Sequence, residues 1–453
     1  MNDLSTSERM DADQGRQALR PQDVVDNRID EGVFRVDRRI YTDEQLFELE
    51  LKRIFENDWV FLCHESQVAN AGDYFSTHIG RQPVLVIRDK EGNVNGFINA
   101  CAHRGALLTD RRQGNATTLR CRFHGWCYNT QGRCTRVKNE KTGWPEGADK
   151  SRMGLKPLGR IASYRGFVFG SLNPDVPELE AHLGEAKIFM DLLADQSPEG
   201  IEVIGGHSDY IIRGNWKMQA ENGVDGYHVS TVHRVFASTV VQREERHGRE
   251  GMAKTEAGRI AGTVPTGCYD LGNGHMMIWA ARSTPEAGPL WESRDRLLKE
   301  FPEGKVNWMI ERGRNLCLFP NVLLMDQPST QIRIFRPLSI DRTQVTVYCV
   351  APKGESKEAR AARIRKFEDF YMVTGMATPD DLAALEDCQN GAQGEKSRWT
   401  EVTRGLASMK QGPDEVADEI GLNPVSSNSD WDFETLYYSF YRKWLDNMVT
   451  KED

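Results

Sequence analysis

The segment CAHRGALLTDRRQGNATTLRCRFHGW, Cys101 to Trp126, restricts the possible folds of this chain more than any other stretch. It carries one thiol and one imidazole at Cys101-x-His103 and one of each again at Cys121-x-x-His124, with Gly105 and Gly125 close behind. Cys thiolate and neutral His are ligands for zinc, iron and copper, and two such pairs make one four-ligand site if two loop tips face each other. The neighbouring sequence supplies such loops. PVLVIRDKEGNVNGFINAC and WCYNTQGRCTRV predict antiparallel hairpins turning at DKEGN and NTQGR. From about Trp59 to Pro174 the chain reads as short strands and turns, a small all-β module, with a polar loop at 138–153.

The texture on either side is different. The first two dozen residues are polar and read as loose, after which EQLFELELKRIFENDW has the apolar spacing of an amphipathic helix. Beyond Pro174 LGEAKIFMDLLAD predicts a helix, while QIRIFRPLSI and QVTVYCVAP predict strands of a sheet. A chain of 453 residues has room for two or three cores. The β module therefore reads as an insertion in a larger domain of mixed α and β structure.

A net charge of −9 offers no basic footprint for nucleic acid and no attraction to an anionic membrane. No apolar run approaches the roughly 18–20 residues of a membrane span, and the N-terminus lacks the basic start and apolar stretch of a signal peptide. A cytoplasmic location is expected. Nine scattered cysteines do not suggest a secreted disulfide framework. Cys63, Cys127, Cys134, Cys268, Cys317, Cys349 and Cys388 are expected to be small buried hydrophobes.

A structural zinc site competes for the two Cys/His pairs, but zinc ribbons and fingers usually group like ligands on each limb. Here each limb offers one of each kind. That distribution suits a Rieske [2Fe–2S] centre, in which one iron takes both cysteines and the other both histidines. Cys101 and Cys121 are then expected on the inner iron, His103 and His124 on the outer. Such a centre only moves electrons, so another site must receive them.

NWKMQAENGVDGYHVSTVH, Asn215 to His233, holds Asp225, His228 and His233 on what reads as a helix. Histidines five apart at about 100° per residue are about 140° out of register, so a regular helix cannot bring both to one metal. A π-type widening or a break between Val229 and Val232 would do so. Two His and one carboxylate with open positions is the usual non-haem Fe(II) arrangement. The carboxylate stays open at this point: Asp225 could ligate or orient His228, and Asp380 or Asp381 could come from GMATPDDLAALEDCQNG. That last segment also reads as a capped helix start, with Thr378 as N-cap and Pro379 at the first position.

The stretches WVFLCHESQV, GRQPVLV, INACAHRGA, RFHGW, YRGFVFGSLNPDV, AENGVDGYHVSTVH, RNLCLFPNVLLMDQ and GMATPDD resemble the large subunit of the Rieske non-haem iron aromatic-ring-hydroxylating dioxygenases, in their benzoate, toluate, halobenzoate and anthranilate branch. The resemblance implies an α+β architecture: an all-β Rieske domain (59–174) inserted in a mixed catalytic domain (1–58 and 175–453) built on an antiparallel sheet surrounded by helices. It implies that His228, His233 and Asp381 hold a mononuclear iron. It further implies that Asp225 links that site to His124 of the partner subunit. A small β subunit in an α3β3 assembly, and an NADH-dependent reductase acting directly or through a ferredoxin, are the implied partners. The chain departs from many relatives at Arg122, where they carry Pro.

The implied reaction is cis-dihydroxylation of a benzoate-class carboxylate at ring positions 1 and 2, with O2 as co-substrate. Salicylate 1-hydroxylation, a homotrimeric monooxygenase and a pure Rieske electron carrier are the alternatives. Asn222, Arg314 and Arg333 are candidates to anchor the substrate carboxylate, although either arginine reads first as half of an ordinary ion pair.

Overall fold

The computed structural model describes residues 19–247, 263–327, 329–372, 375–394 and 396–449. Most of the polar N-terminal stretch, residues 1–18, lies outside the described residues. Its last part is ordered: Pro21–Asp23 form a 3-10 turn and Val24 is fully buried.

Successive side chains of a strand point to opposite faces, and that alternation organises the larger domain. Among the described residues ten strands form one sheet, whose main path runs Ile201–Val203, Arg342–Pro352, Thr330–Ser339, Val322–Asp326, Arg312–Leu318, Met276–Ala281, Thr266–Asp270, Ser426–Asn428 and Lys410–Gln411. Ser208–Ile212 also pairs with Arg342–Pro352. Neighbours are antiparallel. Ile278, Cys317, Leu323, Phe335 and Val347 belong to the core on one face, shared with the C-terminal helix Tyr437–Met448. Met277, Leu316, Leu324 and Ile332 belong to the core on the other, against the helices Ala186–Ala194 and Glu303–Ile310.

The helix expected in EQLFELELKRIFENDW forms as Glu44–Glu50 and continues as a wider π-helical turn, Leu51–Phe55. Glu50 is fully buried and accepts hydrogen bonds from Lys217 Nζ at 2.6 Å, Trp216 Nε1 at 2.7 Å and Trp444 Nε1 at 2.7 Å. A buried carboxylate requires such partners. Through them the N-terminal helix, the helix Trp216–Asn222 and the C-terminal helix are joined at one point.

Val60–His64 pairs antiparallel with Phe167–Ser171, so the entry to the inserted module and its exit lie side by side. Between them Asp73–Ile79, Gln82–Arg88, Val94–Ile98 and Gln113–Asn115 form a four-stranded sheet, and Thr118–Arg120, Cys127–Asn129 and Cys134–Arg136 a three-stranded one. Hairpins turn at DKEGN and NTQGR as expected. The loop 138–153 is more structured than its composition suggests, with a helical turn at Glu140–Gly143 and a 3-10 turn at Lys150–Met153.

Cys63, Cys127, Cys134, Cys268, Cys317 and Cys349 are buried, whereas Cys388, expected inside, is exposed. The helix Thr378–Gly391 buries Thr378, Asp381, Leu385 and Gln389, and Cys388 lies at the edge of that stripe near the helix end, where it reaches solvent.

Candidate metal centres

The loops Cys101–Gly105 and Cys121–Gly125 fold alike. In each, the glycine N–H donates to the cysteine carbonyl, at 2.8 Å for Gly105 and 3.0 Å for Gly125. Each cysteine N–H donates at 2.8 Å to a carbonyl just past the glycine, that of Ala106 or Trp126. Closing so tight a loop requires φ of +69° at Gly105 and +73° at Gly125, a conformation that costs a residue with a side chain roughly 1–2 kcal/mol.

The two tips meet, with His103 Nδ1 and His124 Nδ1 3.1 Å apart. Cys101 and Cys121 are buried beneath them in the apolar core of the module, while His103 is exposed and His124 half-buried. Cys101 Sγ lies 3.0 Å from the Tyr128 hydroxyl, which also accepts from the Ala102 N–H. Trp126 stacks on the His103 ring at 4.9 Å. Desolvation and the neighbouring His103 lower the His124 pKa, which favours the neutral, metal-binding imidazole. Arg122 is an exposed loop residue paired with Asp110 at 2.9 Å.

A tetrahedral zinc would need all four donor atoms within roughly 3–4 Å of one another. Among the described residues, the one set of three or more His, Cys, Asp or Glu with ligand atoms all within 4.8 Å is His228, His233 and Asp381. The four Cys and His donors therefore do not close around a single ion. Thiols inside and imidazoles outside, spread over a wider span, match the needs of a two-iron cluster.

Asn215 to His233 is not one helix, contrary to the expectation from its sequence. Trp216–Asn222 ends at Gly223, a loop carries Asp225, and the short helix Val229–Val232 is followed by Arg234–His247. Gly226 lies so close to Trp431 that a Cβ there would fall 2.4 Å from the indole ring. The break comes at His233 rather than between Val229 and Val232. It turns His233 toward His228, and their Nε2 atoms are 3.1 Å apart.

Asp381 reaches the same point from the helix Thr378–Gly391, its Oδ1 3.5 Å from His228 Nε2 and 3.3 Å from His233 Nε2. Metal–ligand bonds of about 2.1 Å set adjacent donors about 3 Å apart, so these three atoms fit one divalent ion. Asp380 is not part of the group. Thr378 does not cap the helix. It is the first helical residue, and its hydroxyl donates to the Tyr371 carbonyl at 3.0 Å. Asp225 stands behind His228, with Oδ2 3.1 Å from Nδ1 and Oδ1 accepting from the Tyr227 N–H at 2.7 Å. Burial opposes a charge on His228, yet the two carboxylates outweigh it and its pKa is raised.

The three donors open into a small cleft that is continuous with solvent at its mouth. Val229, Phe236, Ile278, Met325, Phe370 and Trp431 form apolar walls. Asn222 lines the cleft and donates to Asp381 Oδ1 at 3.3 Å. Arg333 lines it as well, whereas Arg314 is not among the lining residues and pairs with Asp326. Asn315 and Gln327 also border the cleft and were not foreseen. Their one trace in the sequence is a polar residue at each end of the mostly apolar run NLCLFPNVLLMDQ.

Residues 58–164 match the family described as the Rieske [2Fe-2S] domain, and residues 198–450 the ring hydroxylating alpha subunit catalytic domain. The chain is 46% identical over 428 residues to the toluate 1,2-dioxygenase subunit alpha of Pseudomonas putida, covering 94% of this chain and 93% of that one. It is 44% identical to the 2-halobenzoate 1,2-dioxygenase large subunit of Burkholderia cepacia, over 92% of this chain and 90% of the relative. Naphthalene 1,2-dioxygenase from Rhodococcus sp., solved with indole bound, superposes with a TM-score of 0.79 at 25% identity, over 92% of this chain and 95% of that one. With a Rieske domain set into a catalytic domain of the mononuclear-iron type, the chain belongs to the large, α subunits of the ring-hydroxylating dioxygenases.

Proposed function

We propose that this chain uses O2 and NADH-derived electrons to cis-dihydroxylate a benzoate-class carboxylate at ring positions 1 and 2. The observation that carries this reading is the presence in one chain of an outward-facing Cys/His tip and a His228–His233–Asp381 group opening into an apolar cleft. An electron carrier needs only the first. Similarity to toluate and 2-halobenzoate dioxygenases supports a carboxylate on the ring.

Cys101 and Cys121 would hold the inner iron of a [2Fe–2S] cluster, His103 and His124 the outer, and His228, His233 and Asp381 a mononuclear Fe(II). When bound, the cluster supplies single electrons and the Fe(II) supplies open positions for O2. Asp225, facing His228 Nδ1, selects the tautomer whose Nε2 lone pair is directed at the metal position. The Asp225 side chain retains 29% exposure, which leaves it able to accept from His124 of the partner subunit. No hydrogen bond or ion pair among the described residues joins the Cys/His tip to this site within one chain, so an electron route between subunits is the economical one. The apolar walls keep water from the ring while two electrons and two protons are consumed with each O2.

Small β subunits in an α3β3 assembly and an NADH-dependent reductase, with or without a ferredoxin, complete the proposed system. The proposed compartment is the cytoplasm. Among the described residues no helix is long and apolar enough to cross a membrane.

The test is product analysis of the reconstituted enzyme under 18O2 with benzoate, anthranilate, 2-halobenzoate and salicylate. A 1,2-cis-dihydrodiol from benzoate carrying both labelled oxygens is expected. Singly labelled catechol, formed from salicylate alone, would replace the dioxygenase reading with a monooxygenase. An enzyme fully loaded with iron and inert on all four would overturn the substrate class.

A further inference from the structure

Arginine is almost never buried without a carboxylate, because removing its charge from water has to be offset by pairing. Among the described residues three arginines are buried: Arg314, Arg333 and Arg363, at 2–3% exposure. Arg314 pairs with Asp326, and Arg363 with Glu355 at 3.0 Å. The Arg333 side chain has no ion pair and no hydrogen bond among the described residues, and its Nε is buried without a partner.

Its position makes this more unusual. In the strand Thr330–Ser339, Arg333 sits opposite Leu323 on one side and Val347 on the other, both residues of the apolar core. Alternation along the strand thus plants a cation between two apolar cross-strand neighbours. The guanidinium is 5.6 Å from the Tyr371 ring centroid, a contact that holds its plane without neutralising it. The same residue lines the cleft that contains His228, His233 and Asp381.

A second group bordering the cleft is also unsatisfied. Gln327 is 5% exposed, and its Nε2 has no hydrogen-bond partner. Two residues that each carry an unpaired donor nitrogen therefore border one cleft, and the two carboxylates that line it are already engaged: Asp381 with the histidine pair, Asp225 with His228.

We propose that Arg333 anchors the carboxylate of the aromatic substrate, with the Gln327 amide as a second donor, and so determines which ring carbons meet the metal position. This rests on the reading of the substrate as an aromatic carboxylate. A guanidinium takes a carboxylate through two parallel N–H bonds, which fixes direction as well as charge. Pinning the carboxylate pins C1, the carbon that bears it, and C2 beside it. Those are the two positions a 1,2-dioxygenation must present. Anchoring at one edge of the ring leaves the apolar walls to accept substituents farther round it.

The experiment compares wild type, Arg333→Met and Arg333→Lys, each in the assembled enzyme with iron content and cluster spectrum verified. Benzoate and its uncharged counterpart benzamide are the probes. Equilibrium dialysis and melting with and without 10 mM benzoate report binding, and product analysis reports regiochemistry. For Arg333→Met we expect benzoate kcat/KM to fall about 100-fold, chiefly through KM, and benzamide to change less than threefold. The residual benzoate product should include diols away from C1. Benzoate should raise the melting temperature of wild type but not of Arg333→Met. The substrate-free variant should melt no lower than wild type, because it has lost an unpaired buried charge, whereas a merely structural arginine predicts destabilisation. Arg333→Lys should recover part of the benzoate affinity, and it carries the comparison if Arg333→Met fails to assemble. Unchanged benzoate binding and regiochemistry in a folded, iron-loaded variant would overturn the anchor alone. A wild type that oxidises benzamide but no aromatic carboxylate would overturn both the anchor and the substrate class on which it rests.

Discussion

Replacing Lys217 with Met tests how the helix Trp216–Asn222, which leads to Asp225 and His228, is held. Lys217 and Glu50 are both fully buried and 2.6 Å apart, and the carboxylate also accepts from the indoles of Trp216 and Trp444. Burial pushes the Lys217 pKa down, so the ammonium depends on Glu50. Lys217→Met leaves a carboxylate inside with two indole donors and no cation. Breaking one side of such a pair costs about 3–5 kcal/mol. Glu50→Gln leaves the ammonium uncompensated, at a similar cost. In the double variant the neutral amide oxygen still accepts from an indole and no charge remains, so the loss should be at least about 3 kcal/mol smaller than the sum of the two single losses. For a unit of this size that is a fall of roughly 4–7 °C in melting temperature for each single variant and a smaller one for the double. Near-UV circular dichroism at fixed iron loading and scan rate reads the transition directly, since Trp216 and Trp444 are part of the network. Because Trp216–Asn222 leads into the loop of Asp225 and His228, the single variants should also lose mononuclear iron faster. Additive losses in the double variant would refute the claim that the pair acts as a unit.

Three further outcomes are expected. Asp381→Ala should lose the mononuclear iron while keeping the Rieske spectrum, taking iron from about three to about two per chain; full iron occupancy with activity would remove Asp381 from the ligand set. Asp225→Asn should retain both centres and the assembly, yet in single-turnover experiments reoxidise a pre-reduced cluster about 10–100 times more slowly; a wild-type rate would exclude Asp225 from the electron route. Asp58 is buried, and despite that desolvation the nearby His182 and Lys443 hold its pKa at about 2. A depressed carboxylate pKa contributes stability that is present above the unfolded value near pH 4 and is lost as pH falls toward 2. The contribution is at most about 2–3 kcal/mol. Melting between pH 5 and 3 should therefore be shallower for Asp58→Asn than for wild type, and equal slopes would show that Asp58 contributes nothing to the acid transition.

Some features were legible because they are local. The loops Cys101–Gly105 and Cys121–Gly125 contain their own turn glycines, their own donors and their own backbone hydrogen bonds, so a handful of residues specify each half-site. Strand alternation around DKEGN and NTQGR is local in the same sense. The stretch from Asn215 to His233 misled for the opposite reason. Its reading as one helix, broken or widened between Val229 and Val232, missed that the chain already leaves the helix at Gly223, in a loop whose Gly226 packs against Trp431, some two hundred residues away in sequence, and breaks again at His233. Thr378 misled similarly: a good N-cap residue was drawn instead to the Tyr371 carbonyl.

The sequence by itself determined the chemistry on offer: paired thiols and imidazoles on two glycine-closed loops, two further histidines, and a β module set into a mixed domain. Tertiary structure decided which groups meet. Asp381 rather than Asp380 joins the two histidines because the buried stripe of its helix includes one and not the other. Arg314 and Arg333 look equivalent along the chain, yet one faces Asp326 and the other an apolar cleft without a partner. Whether a buried charge is paired depends on what a distant segment places beside it. Local spacing fixes a residue's face, while only the packing of the whole sheet and its helices sets what that face meets.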